Sequence, residues 1–261
     1  LRAIASLGGS GLAAIEGLGR LGLFLAGAAA RASTPPFRPS AVVRQIHFIG
    51  ARSVLVIAVA GLFTGMVVAL QFHDTLVRFG SVGLLGAAVG LSLVRELGPV
   101  LTALMVIGRA GSAVCAELGI MRSEEQIDAL ECMSIDPLRH LVAPRLVAGI
   151  LSLPLLVAMF DVIGIAGGWF VGVVLNDVSP GAYFGGMYDT LLWSDVWMGI
   201  VKSLVFGMII AWVATARGYY LHLSAEGVRG AEGVSRATTD AVVWSAIAVL
   251  AADYLVSALL L

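Results

Sequence analysis

Charge is scarce in this 261-residue sequence: Asp, Glu, Lys and Arg together make up 13% of it, against about a quarter in ordinary soluble domains. That excludes a soluble globular fold, because too few ionised groups are available to cover its surface. Lysine is nearly absent; Lys202 stands alone among arginines within the 16 basic residues. With 17 acids the formal net charge is −1, so no basic surface is left to hold nucleic acid. Two cysteines, Cys115 and Cys132, cannot staple a chain of this length, and both fall in a segment read below as cytoplasmic, where disulfides are rare. His47, His73, His140 and His222 are scattered without metal-ligand spacing. No Ser/His/Asp set can be assembled. A P-loop needs Gly directly before Lys-Ser/Thr, and Lys202-Ser203 follows Val201. Gly17-Leu18-Gly19-Arg20-Leu21-Gly22 fits a dinucleotide pattern, but it follows no strand and sits in an Ala/Gly/Leu helix, so it is a chance match. The expectation is therefore a chain without catalytic residues, a metal site or a cofactor of its own. Any energy it uses comes from a partner or an ion gradient.

What is present is apolar sequence, 59% of the chain, with a mean hydropathy of +0.97. A bilayer core about 30 Å thick needs roughly 20 apolar residues at about 1.5 Å each. Five segments qualify: 53–70, 81–108, 146–175, 196–216 and 241–261. The fold class expected is an all-α polytopic membrane protein, one domain over 1–261. Arginine sets the orientation. Arg2, Arg20, Arg31, Arg38, Arg44 and Arg52 precede span one. Arg109, Arg122, Arg139 and Arg145 lie between spans two and three, and Arg217, Arg229 and Arg236 between spans four and five. The other two loops hold only Arg78, beside Asp74, Asp177, Asp189 and Asp195. The positive-inside rule puts the N-terminus in the cytoplasm and Leu261 outside.

Residues 1–44 read as an interfacial helix and linker. Leu21 to Ala30 is apolar but too short to span, and Ser33-Thr34-Pro35-Pro36 breaks the helix. A signal peptide is the other reading; Glu16 and the long stretch ahead of the apolar run argue against it. The chain opens on Leu1 rather than Met, which leaves room for residues ahead of it. In the outer loop from Asn176 to Asp195, Tyr183, Tyr188 and Trp193 suit an aromatic belt at the membrane surface. Gly61 and Gly65 in span one, and Gly164, Gly168 and Gly172 in span three, have the spacing that lets helices approach closely in lipid. That seam lies either inside one subunit or between two.

Charges occur inside the spans. Arg95 and Glu96 lie mid-span, adjacent and hence about 100° apart on a helix, so each needs a partner elsewhere or water. Pro99 removes the hydrogen bond to the Arg95 carbonyl and predicts a kink. Asp161, Lys202 and Asp253 lie in spans three, four and five. These groups either pair across helices and hold the bundle, or line a cavity for a charged head group, with Arg95 and Lys202 as phosphate contacts.

Between spans two and three, Ser123 and Gln126 form a capping box that predicts a helix over 123–133, ended by Asp136-Pro137. Glu124 and Glu125 suit its first turn. Ile127 and Leu130 share a face, while Asp128 and Glu131 add negative charge. Such a short acidic helix is not expected to be held by its own chain alone, and it fits a soluble partner's groove.

Several stretches carry a family resemblance: Arg95-Glu96-Leu97-Gly98-Pro99-Val100-Leu101-Thr102, Gly108-Arg109-Ala110-Gly111-Ser112-Ala113, Glu117-Leu118-Gly119 and Glu125-Gln126-Ile127-Asp128-Ala129-Leu130-Glu131, continued by Asp136-Pro137 and Leu141-Val142-Ala143-Pro144-Arg145. Over nearly its whole length the chain resembles the MlaE/YrbE permeases of bacterial and chloroplast lipid transport. Cys132 and Ser134 depart slightly from the small or apolar residues expected there. The resemblance implies a non-catalytic permease subunit in a bacterial inner membrane, working as a homodimer. It implies a cytoplasmic ABC ATPase that carries the ATP and Mg, a STAS-domain protein bound to that ATPase, a periplasmic MCE-domain ring and a phospholipid substrate. Arg95, Glu96 and Lys202 would line or brace the lipid cavity, with Leu70, Leu76 and Phe79 as acyl-chain contacts. Glu124, Glu125, Ile127, Asp128, Leu130 and Glu131 would couple to the ATPase. Two other readings stay open: an ion-coupled carrier with Glu96 and Asp161 as proton sites, and a structural anchor for a periplasmic complex.

Overall fold

The computed structural model describes residues 2–35, 38–221 and 230–260. Arg229 and Leu261, assigned to sides of the membrane above, lie outside the described residues, as do His222 and Pro36. Among the described residues the regular structure is all helical: α1 (Arg2–Ser33), α2 (Pro39–Ile49), α3 (Val54–Arg78), α4 (Leu85–Ser92), α5 (Gly98–Val106), α6 (Ser112–Ser123), α7 (Gln126–Cys132), α8 (Ala143–Trp169), α9 (Pro180–Thr190), α10 (Trp193–Tyr219) and α11 (Gly230–Leu260). Wider π turns occupy Leu93–Leu97, Ile107–Gly111, Leu138–Val142 and Phe170–Leu175.

Among the described residues, five rods are long and apolar enough to cross a membrane: Pro39–Arg78, Val82–Ser123, Leu138–Leu175, Trp193–Tyr219 and Gly230–Leu260. The chain is thus an all-α, multi-pass membrane protein. The rods outrun the expected boundaries because a helix does not end where the hydrocarbon does. At 42 residues and about 1.5 Å each, the second rod is roughly twice the thickness of a bilayer core. It carries Arg109, Glu117 and Arg122 past the expected end of span two at residue 108, changing register at two π turns on the way.

The N-terminal region holds two helices rather than one helix and a linker. Thr34 and Pro35 form the break that the sequence marks. Pro39 then opens α2 at a first-turn position, where its missing N–H costs nothing. Arg109, on the second π turn, donates through Nη2 to the carbonyls of Phe48 (2.5 Å) and Ile49 (3.2 Å) and so caps the end of α2. α1 lies against the ends of α8 and α10. The Trp212 indole donates to the Leu21 carbonyl at 2.9 Å, Phe24 is buried against the rings of Tyr219 and Tyr220, and Arg31 pairs with Asp136.

The glycine seam lies inside this chain, between α3 and α8. A methyl group on Gly61 would meet the Phe160 carbonyl at 2.9 Å, and one on Gly65 would collide with the Gly164 backbone. Further along, Gly168 meets the Tyr183 hydroxyl and Gly172 meets Leu85. The loop after span three is itself a helix, α9. Its N-cap Ser179 accepts from the Ala182 N–H at 3.1 Å, with Pro180 next. Tyr183 is consequently not a belt residue. It is fully buried and donates its hydroxyl to the Ile165 carbonyl at 3.2 Å, whereas Tyr188 and Trp193 are exposed as a belt requires.

Candidate functional site

The mid-span charges sit where the second rod changes register. In α-helical register the amide of Gly98 would serve the Val94 carbonyl, and that of residue 99 the Arg95 carbonyl. Gly98 instead donates to Leu93, and Pro99 has no N–H. The expected kink therefore takes the form of a π turn, and the carbonyls of Val94 and Arg95 lose their usual donors.

α10 answers this break with one stripe of its surface, Asp195, Gly199 and Lys202, spaced four and three residues apart. Asp195, in the first turn of α10, accepts from Nε and Nη2 of Arg95 at 2.9 and 2.6 Å through one oxygen. Its other oxygen accepts from the Leu192 N–H at 2.9 Å, closing the start of the helix. Gly199 has no side chain to hold off the Val94 carbonyl; a methyl there would lie 2.8 Å from it. Lys202 is fully buried. Its ammonium donates to the Arg95 carbonyl (3.0 Å) and to Glu96 Oε2 (2.6 Å), and Asp253 Oδ1 on α11 lies 2.9 Å away. Ser257, one turn past Asp253, reaches Glu96 Oε1 at 3.4 Å.

Every mid-span charge named from the sequence except Asp161 thus finds an ionic partner on another helix. Asp195, which the sequence reading left in a loop, completes the set. Its signal was its place in the first turn of a helix, where a carboxylate meets the positive end of the dipole. The network is not sealed: the side chains of Arg95 and Glu96 remain 35% and 45% exposed. Two cations, Arg95 and Lys202, face three carboxylates, Glu96, Asp195 and Asp253, so any hold on an anion comes from Arg95 locally and not from the net charge of the cluster. Arg95 has Nη1 left for another acceptor, while Lys202 donates to two protein oxygens and has Asp253 beside it as an ion-pair partner. Asp161, on α8, abuts Gly98, and its Oδ1 is buried without a hydrogen-bond partner. Leu70 and Phe79 are exposed on and just past α3, and Leu76 packs partly against the core.

The acidic helix begins later than the capping box implies. Ser123 ends α6, Glu125 takes a left-handed turn at φ 60°, and α7 starts at Gln126 with no side-chain cap. The Gln126 side chain donates to Glu124 Oε2 at 2.7 Å instead. The helix is also held by its own chain, contrary to expectation. Ile127 is completely buried in a cluster with Val114, Leu118, Leu141 and Ala237, and Leu130 packs partly against it. Arg122 pairs with Asp128 at 2.6 Å. Glu124, Glu125, Asp128, Glu131 and Met133 remain exposed, which gives a rigidly seated helix with an acidic outer face.

Residues 42–259 match the protein family described as Permease MlaE. The intermembrane phospholipid transport system permease protein MlaE of Haemophilus influenzae is 40% identical, over 98% of this chain and 97% of its own. A probable ABC transporter permease protein of Rickettsia felis is 42% identical over 94% of this chain and 92% of its own. The chloroplastic protein TRIGALACTOSYLDIACYLGLYCEROL 1 of Arabidopsis thaliana is 34% identical over 82% of this chain and 60% of its own.

Proposed function

The chain belongs to the MlaE permease family, and on that premise we propose that it is the membrane subunit of an ATP-driven phospholipid transporter in the inner membrane of a bacterium. Two copies enclose the lipid cavity. A cytoplasmic ABC ATPase supplies ATP and Mg, a STAS-domain protein binds that ATPase, and an MCE-domain ring receives or delivers lipid on the periplasmic side. The N-terminus lies in the cytoplasm and the C-terminal end of α11 outside. The observation that carries the reading is the partly open Arg95–Glu96 pair on a broken helix inside a span, a costly arrangement in lipid unless it faces a hydrated chamber. Arg95 offers its remaining donor to a phosphate, Glu96 shapes the polar rim, and Lys202 braces both from behind. Leu70, Leu76 and Phe79 line the path of the acyl chains.

The acidic face of α7 is the docking point for the ATPase. Glu124, Glu125, Asp128 and Glu131 meet the partner, while Ile127 and Leu130 seat the helix. Two measurements on the co-expressed complex test this. Reversing Glu124, Glu125 and Glu131 to Lys should abolish co-purification of the ATPase while the permease stays at normal abundance. Arg95→Ala should slow ATP-dependent lipid transfer between vesicles by at least about tenfold, the size of one lost charge-assisted hydrogen bond. An Arg95→Ala complex that transfers lipid at the wild-type rate would remove Arg95 from the lipid path. Transfer that collapses with an uncoupler yet persists without ATP would favour the ion-coupled alternative, for which the unpartnered Asp161 carboxylate is the supporting feature.

A further inference from the structure

We propose that Lys202 is a surrogate for the amide that Pro99 lacks, a positioning residue that holds the Leu93–Leu97 π turn open and so fixes where Arg95 and Glu96 point. The proposal deepens the transport reading and rests on it only for its consequence in lipid transfer. In lipid, a backbone carbonyl without an amide cannot turn to water. Pro99 and the Gly98-to-Leu93 bond strip two such carbonyls, Val94 and Arg95, of their usual donors. Both then meet the same stripe of α10: Val94 against the bare backbone of Gly199, Arg95 against the Lys202 ammonium at 3.0 Å. Lysine suits the task because its flexible stem ends in three donors that separate. One serves the backbone and one Glu96, and Asp253 lies beside them at ion-pair distance, its Oδ1 accepting no hydrogen bond. An arginine fork, planar and built for two parallel acceptors, fits a carbonyl flanked by two separate carboxylates poorly. The single lysine of the chain thus sits where a backbone donor is missing. Through it, any movement of α10 reaches the Arg95–Glu96 pair.

That Lys202 is the only lysine makes a direct test practical. The full-length chain is labelled with ¹⁵N at the lysine side chain and ¹³C at arginine carbonyls, placed in lipid bilayers and examined by solid-state NMR. One arginine carbonyl carbon should lie within about 4.2 Å of the single Nζ signal, the reach of a 3.0 Å hydrogen bond to the oxygen plus the C=O bond of about 1.2 Å. No arginine carbonyl in that range would overturn the proposal.

A two-by-two set of variants supplies the functional arm, read as lipid transfer by the assembled complex at matched abundance. Lys202→Met should lose most transfer. Adding Pro99→Ala, which returns an amide to the Arg95 carbonyl, should recover about tenfold, the scale of one hydrogen bond to a charged group, whereas Pro99→Ala alone should give no gain. If Pro99→Ala changes transfer by the same factor in the native background as in the Lys202→Met background, the two residues are uncoupled and the proposal fails. If Lys202→Met does not accumulate, the NMR distance on the native chain decides. A native complex that transfers no lipid would sink the transport reading and leave that distance untouched.

Discussion

The charges inside the membrane and the charges at the end of the helical rods use the same chemistry to opposite effect. Lys202 is completely buried and ties the second rod to α10 and α11 at once. Glu96 is 45% exposed, but the cation it meets is sealed and also holds a backbone carbonyl, whereas the pairs at α7 and α1 have exposed carboxylates, Asp128 at 52% and Asp136 at 39%, and cations that reach the surface too. Water can replace those partners, so such pairs add little. α7 is instead fixed by an apolar bolt, the buried Ile127. The lesson is an inversion: where the solvent is lipid, polar contacts carry the joint, and where it is water, an apolar side chain does.

The largest effect should come from breaking the joint in lipid. Lys202→Met leaves Glu96 and the Arg95 carbonyl without their common donor and Asp253 without its cation. Removing one partner of a buried ionic pair typically costs about 3–5 kcal/mol. The purified chain in nanodiscs should melt well below wild type and accumulate poorly in membranes. A melting curve unchanged by Lys202→Met would mean that lipid-side charges are not the fastening.

Next in size is the apolar bolt. Ile127→Ala removes a fully buried side chain and should cost about 2–4 kcal/mol, confined to α7. Hydrogen exchange over residues 126–132 should speed up while the glycine seam between α3 and α8 stays protected, and ATPase co-purification should weaken although no acidic residue has changed. Asp128→Asn, which breaks the exposed pair with Arg122, should cost less than about 1 kcal/mol and leave exchange in α7 near wild type. If Asp128→Asn frees α7 as much as Ile127→Ala does, the inversion is wrong at its watery end.

The sequence declared one side of this contrast better than the other. Spans, their number and the helix break at Thr34-Pro35 were legible because apolar length and proline act locally. The mid-span charges were legible too, since ionised residues stand out in lipid-compatible sequence, and so was the loss of the Arg95 carbonyl's amide, which follows from Pro99 alone. What replaced that amide was not, because Lys202 is more than a hundred residues away and only packing brings it there. Asp195 was missed for the same reason. Ile127 was read as facing a partner because periodicity marks an apolar face without saying what covers it. Tyr183 was misplaced because α9 was read as a loop, although Ser179-Pro180 is a helix-start signal that could have been taken at face value.

The smallest effect concerns the Arg31–Asp136 pair that holds the end of α1. Burial alone would raise the Asp136 carboxyl, but the Arg31 guanidinium and the amides of Leu138 and Arg139 keep it below its ordinary value of 3.8. A carboxyl lowered by folding contributes stability that is present above its unfolded value and lost as pH falls toward its folded one. The tether should therefore be intact at neutral pH and loosen only below about pH 4. Hydrogen exchange of α1 compared between wild type and Asp136→Asn should differ modestly at pH 7, and the difference should shrink as the sample is acidified. The Lys202 joint should show no such convergence between wild type and Lys202→Met, because its backbone bond to Arg95 does not depend on any carboxylate being ionised. Convergence at both sites in the same pH range would mean that the Lys202 joint rests on its ionised carboxylates alone, and the contrast between the two regions would disappear.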